Sequence, residues 1–94
     1  MNRYIKIYKK NRDLRLKIAE KWMAKGVTIM DAETTYIGPN VKLGRNVVLY
    51  PQTYLEGKTV VGERTSIGVG AIVRDSIIGK RVNIDAYTIV EKSH

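Results

Sequence analysis

The chain has 94 residues, 17 Lys/Arg against 9 Asp/Glu, and a net charge of +8, enough for one domain and short for two independent cores. It has no cysteine, which excludes disulfide frameworks, Cys-type zinc sites and thiol catalysis together. No apolar run approaches the roughly 18 residues that span a bilayer, and the basic N-terminus lacks the apolar stretch of a secretory leader, so a cytoplasmic protein is the default expectation.

The charge divides the chain. Residues 1–25 hold nine Lys/Arg and only two acids, Asp13 and Glu20, a net of +7; everything after them sums to +1. The reading is therefore a basic helical arm over 1–26 followed by a balanced second part over 27–94.

The arm reads as a helix over 11–25. Asn11 is a plausible N-cap, Asp13 falls in the first turn where a negative charge is favoured, and Gly26 is suited to C′. Tyr4 and Tyr8 are also four apart, so the alternative is a helix that runs back to about Asn2. Leu14, Ile18 and Trp22 recur every four residues, with Ala19 and Met23 beside them, a stripe that needs a partner surface. It is expected to dock on the first coil of the same chain or on a neighbouring subunit.

After Gly26 the period changes to six. Ile37, Leu43, Leu49, Leu55, Val61, Ile67 and Val73 fall at strict six-residue intervals; one residue is then missing and the series resumes as Ile78, Ile84 and Val90. Four residues after each aliphatic comes a small or β-branched residue: Val41, Val47, Thr53, Thr59, Thr65, Ala71, Ile77, Val82 and Thr88. Strand side chains alternate with period two, so Val41 and Leu43 share one face while Lys42 takes the other, and the same holds for Val47/Leu49, Thr53/Leu55, Thr59/Val61, Thr65/Ile67, Ala71/Val73, Val82/Ile84 and Thr88/Val90. Each hexad is thus a short strand with two inward residues and a corner. Glycines after the aliphatics, with Asn40 and Asn46, suit corners that need unusual backbone angles. Three hexads close one triangular turn of about 18 residues, and turns stack about 4.8 Å apart. The expected fold is an all-β solenoid, a hexapeptide-repeat parallel β-helix of about three coils (37–54, 55–72 and 73–89), with Val27–Tyr36 and the helix covering its N-terminal end. The spacing does not set the handedness.

The outward residues predict an association surface. Tyr54, Ile72 and Ile89, at steps of 18 and 17, form an apolar vertical stripe, expected to be buried between subunits or under the helix. The other faces, with Lys42 and Val60 on one and Val48, Ser66 and Asn83 on the next, are mixed.

The segment Ala19–Glu91 resembles the hexapeptide-repeat family of bacterial bifunctional N-acetylglucosamine-1-phosphate uridyltransferases/glucosamine-1-phosphate N-acetyltransferases. The most specific pieces are Gly26–Ile29 (GVTI), Thr34–Ile37 (TTYI) and Leu55–Gly62 (LEGKTVVG), and the basic helix resembles the family's connecting arm. The resemblance implies a left-handed coil, assembly as a homotrimer, and a place in UDP-N-acetylglucosamine and cell-wall precursor synthesis. It supplies no catalytic residue. The family's uridyltransferase domain would precede the arm, where this sequence starts at Met1, and its His base and sugar-binding residues belong to coils beyond His94. No Gly-rich phosphate loop occurs in the sequence.

These residues lead to a non-catalytic oligomerising scaffold as the expected function, with no cofactor and no metal. A subunit working beside missing nucleotidyltransferase or acetyltransferase domains is the alternative. Anion binding by the basic arm, to nucleic acid or a membrane, is a third reading; nucleic acid is disfavoured because the charges are spread around the helix. The single histidine, His94, lies outside the hexads and is expected to be an inert tail; one His cannot supply a three-His zinc site. Asp75, Asp85 and Glu91 read as solvated corner acids, and Tyr36, Tyr50 and Tyr87 as corner packing. Trimers are expected, with end-to-end contacts between them as a further expectation.

Overall fold

The computed structural model describes residues 2–93. The order is α1 (Arg3–Ala24), β1 (Thr28–Ile29), β2 (Tyr36–Ile37), β3 (Lys42–Leu43), β4 (Val48–Leu49), β5 (Tyr54–Glu56) and β6 (Val60–Val61). It continues with β7 (Ser66–Ile67), β8 (Ile72–Arg74), β9 (Ile77–Ile78), β10 (Asn83–Ile84) and β11 (Ile89–Glu91).

The longer of the two helix readings is correct. Asn2 is the N-cap, its side-chain oxygen accepting from the Tyr4 amide at 2.7 Å, while Asn11 and Asp13 sit in mid-helix. Asn11 does not break the helix because an interior Asn costs only a fraction of a kcal/mol against the surrounding Lys, Arg, Leu and Ile. The helix ends where Gly26 takes φ +93°, and the Gly26 and Val27 amides close on the Met23 and Trp22 carbonyls, each at 3.1 Å.

From Val27 the chain winds a left-handed parallel β-helix of about four turns. Three flat faces form, with strand orders β1-β4-β7-β10, β2-β5-β8-β11 and β3-β6-β9, and every pairing is parallel. Four of the eight registers step by 18, as in Lys42 with Val60, and the first, Thr28 with Val48, steps by 20. The step is 17 where the shortened corner intervenes, as in Val60 with Ile77. The coil begins earlier than the hexad series indicates. Thr28–Ile29 pairs with Val48–Leu49, so this segment is a first strand of the stack and not a cover for it. The hexad count misses it because eight residues separate Ile29 from Ile37 where six are expected.

The inward series forms the core. Leu49, Leu55, Val61, Ile67 and Val73 are buried together with Val47, Thr53, Thr59, Thr65 and Ala71. The shortened corner supplies an inward residue that the list of pairs leaves out. Ser76, not Ile77, fills the inward position, and Ile77 points outward, 48% exposed. The missing residue falls in the corner after Val73. Period-two alternation counted back from Ile78 then puts Ser76 on its side of the strand.

The corners also differ from expectation. Gly44, Gly62 and Gly68 do not carry positive φ; a Cβ on any of them would come within 2.6 Å of the backbone of the next coil. They are glycine for stacking clearance. Left-handed corner conformations fall on Asn46 (φ 60°), as expected, and also on Gln52, Arg64, Asp75, Arg81, Tyr87 and Lys92. Asn40, expected to take such an angle, does not.

Candidate functional site

Two surface features are candidates for function, and both arise from what the coil leaves outside. The first is the face β2-β5-β8-β11, whose outward residues are Tyr36, Tyr54, Ile72 and Ile89 in direct register. Tyr36 belongs to this strip and not to a corner, and its ring stacks on Tyr54 with centroids 4.6 Å apart. α1 docks on β1 and β2; Tyr54 stays 41% and Ile89 61% exposed, and Ile72 is half-buried. The strip is bordered by a charge ladder at one register position, Glu56, Arg74 and Glu91. Arg74 Nε donates to Glu56, and its Nη1 donates to Glu91 Oε1 at 2.7 Å. The hydrogen bond donated to Glu56 first, then that donated to Glu91, holds the Arg74 guanidinium proton more firmly than usual. A second ladder of opposite order, Arg45, Glu63 and Lys80, sits at another corner, with contacts of 3.4 and 3.8 Å.

Glu91 is therefore an ion-pair member and not a free corner acid. Asp75 is a structural ligand of backbone, its carboxylate accepting the Lys58 amide at 2.9 Å. Asp85 and Tyr87 are exposed corners, and Tyr50 is partly so. His94 lies outside the described residues. Among those residues no group of three or more His, Cys, Asp or Glu is placed to hold a metal, and no helix is long and apolar enough to cross a membrane.

The second feature is a cleft of about 640 Å³ between the C-terminal end of α1 and the face carrying β3 and β6. Trp22, Pro39, Val41 and Val60 form its apolar part; Lys21, Lys25, Lys42 and Lys58 are its charged members. The Lys21 and Lys25 ammonium groups each sit 5.2 Å from the Trp22 ring centroid. No single motif announces this cleft: two of its lysines come from the arm and two from outward or corner positions of the first two coils.

The helix stripe docks unevenly. Trp22 is buried against the core and Ile18 packs partly against it, with Ala19 completing the contact, whereas Leu14 remains 50% exposed. A two-pronged hydrogen bond from Arg12 to Glu33, at 2.6 and 2.9 Å, fastens the middle of α1 to the loop before β2. That bond holds the Glu33 carboxyl below its ordinary 4.5.

No family model matches the chain. Comparison with known proteins finds "Bifunctional protein GlmU" of Carboxydothermus hydrogenoformans, 47% identical over 73 residues, which is 78% of this chain and 16% of that protein. The protein of the same name from Thermodesulfovibrio yellowstonii is 39% identical over 88% of this chain and 18% of its own length. That of Caldanaerobacter subterraneus subsp. tengcongensis is 39% identical over 99% of this chain and 20% of its own. The chain thus spans a fifth or less of the relatives it matches. Across its helical arm and coils, this chain is a homologue of one stretch of the bifunctional GlmU proteins.

Proposed function

We propose that the chain is a non-catalytic β-helix scaffold that associates with copies of itself, as a homotrimer, through the Tyr54/Ile72/Ile89 face. The observation that carries this reading is the strip itself. Four apolar side chains stand in register on one flat face of a small domain, and α1, the only helix among the described residues, docks on β1 and β2 at one end of that face. Contiguous exposed apolar surface on a small protein marks an association site, and the resemblance to a trimeric family supports three copies. A charged side chain in the middle of the strip has to be buried unpaired if the interface is to form. Ile72→Lys is therefore expected to sediment as a monomer where the parent chain sediments as a trimer; a parent monomer, or an unchanged Ile72→Lys trimer, contradicts the reading.

The GlmU similarity favours a second reading, in which the module serves UDP-N-acetylglucosamine synthesis together with uridyltransferase or acetyltransferase domains. A cytoplasmic setting belongs to both readings. Assays of the purified chain for acetyl transfer to glucosamine-1-phosphate and for UTP-dependent sugar activation separate them. Turnover by the chain alone defeats the scaffold role; turnover only on mixing with such domains supports the second reading.

A further inference from the structure

We infer that the cleft between α1 and the β3/β6 face is a binding site for a small, multiply phosphorylated anion. The argument is one of charge. Four lysines, Lys21, Lys25, Lys42 and Lys58, line one cleft, and no Asp or Glu lines it. None of the four is in an ion pair among the described residues, although the Glu56–Arg74–Glu91 and Arg45–Glu63–Lys80 ladders show that acids pair readily elsewhere on the surface. A structural explanation exists for two of them, since lysines at a helix C-terminus complement the macrodipole. That partner amounts to only roughly half a negative charge, which leaves most of four positive charges without an opposite. Lys42 and Lys58 come from the coils and owe nothing to the helix end. Like charges drawn around one concavity raise the local potential and favour a polyanion over a single charge.

The shape narrows the ligand. The cleft's volume of about 640 Å³ falls in the range that holds metabolites and cofactors, roughly 300–1,000 Å³. It suits a di- or triphosphate better than an extended nucleic-acid backbone. Trp22 and Val60 give an apolar wall beside the lysines, where the organic part of a phosphorylated ligand can rest. The site involves different residues from the Tyr54/Ile72/Ile89 face, so it stands or falls apart from self-association.

Trp22 is the only tryptophan in the chain and lies beneath two of the lysines, which makes its fluorescence the direct reporter. Inorganic tripolyphosphate and ATP are titrated separately into the intact chain at constant ionic strength. The expected result is a saturable change in Trp22 emission with both, and a midpoint about tenfold higher or more for Lys42→Ala/Lys58→Ala, two exposed residues whose truncation leaves the backbone hydrogen bonds in place. Equal midpoints for the two probes assign the site to the phosphate chain alone, and a tighter ATP midpoint adds the base to the apolar wall. The control Lys6→Ala/Lys9→Ala removes the same charge from the distant part of α1 and is expected to leave the midpoint unchanged. A non-saturating response, equal weakening by the control pair, or a response to phosphatidylserine vesicles with none to tripolyphosphate overturns the proposal.

Discussion

The two ends of the stack are built from the same repeat and finished differently. At the N-terminal end Val27, Thr35, Ile37 and Val41 are buried, because Ala19 and Trp22 of α1 close over them. At the C-terminal end the equivalent inward residues Val82, Ile84, Thr88 and Val90 are only half-buried, with no coil after them among the described residues. Between the two, Leu49, Leu55 and Ile67 are wholly buried. The difference shows that a hexad residue does not bury itself by pointing inward. It needs a neighbour on each side along the stack, as in other solenoids, where each repeat is stabilised by the next. α1 acts as the missing neighbour at one end.

That contrast can be broken most forcefully at Trp22. Trp22→Ala removes the closing side chain and is expected to cost about 3–5 kcal/mol in urea-induced unfolding, as for other large buried aromatics. The next effect concerns how coils couple between the ends. The Thr65 hydroxyl donates to the Gly79 carbonyl at 2.7 Å and accepts the Val82 amide at 3.1 Å, joining one coil to the next. Thr65→Val leaves both backbone groups without that partner and is expected to cost about 1–3 kcal/mol. Thr53 occupies a comparable inward position, yet its Oγ1 is buried without a partner. Thr53→Val should therefore stabilise the chain by about 1 kcal/mol, by removing a desolvated hydroxyl that makes no bond. At the open end Val90→Ala should cost under about 1 kcal/mol, since the side chain is only half removed from water.

The smallest effect is electrostatic, and it acts on the closed end alone. The Arg12 hydrogen bond lowers the Glu33 pKa in the folded chain. The pair's contribution is accordingly complete above the ordinary 4.5 and is lost as pH falls through the lowered folded value. Both side chains are substantially exposed, so the contribution is screened and small. Thermal melts should separate the parent from Glu33→Gln by a few degrees at most at neutral pH, and the two curves should converge below the carboxylate range.

The comparison also explains what the sequence disclosed. Ile37 through Val90 is legible because a fixed six-residue interval leaves few geometries open, and all the aliphatics of that series point inward as the interval requires. Thr28–Ile29 is hidden because a longer corner separates it from the series, and Ser76 is missed because a deletion shifts which residue alternation turns inward. The glycines were correctly placed at corners but for a different reason, since clearance between coils is a property of the stack and invisible along one strand. The lysine cleft shows no local pattern at all: its members are 37 positions apart at the extremes and meet only once α1 has docked. The apolar strip was readable from Tyr54 onward, while Tyr36 was missed because the coil before it was not recognised.

Amide hydrogen exchange tests the stack most directly. The outward residues Lys42, Val48, Tyr54, Val60, Ser66 and Ile72 donate their amides to the carbonyls of Thr59, Thr65, Ala71, Ser76, Val82 and Thr88 on the following coil, at 2.9–3.0 Å. Asn83 and Ile89 hold the same position in the last described coil, with no coil following them among the described residues. Slow exchange at the first six and fast exchange at the last two is the predicted pattern. Uniform exchange at all eight, or protection recurring every three to four residues along this region, would contradict a parallel coil closed at one end.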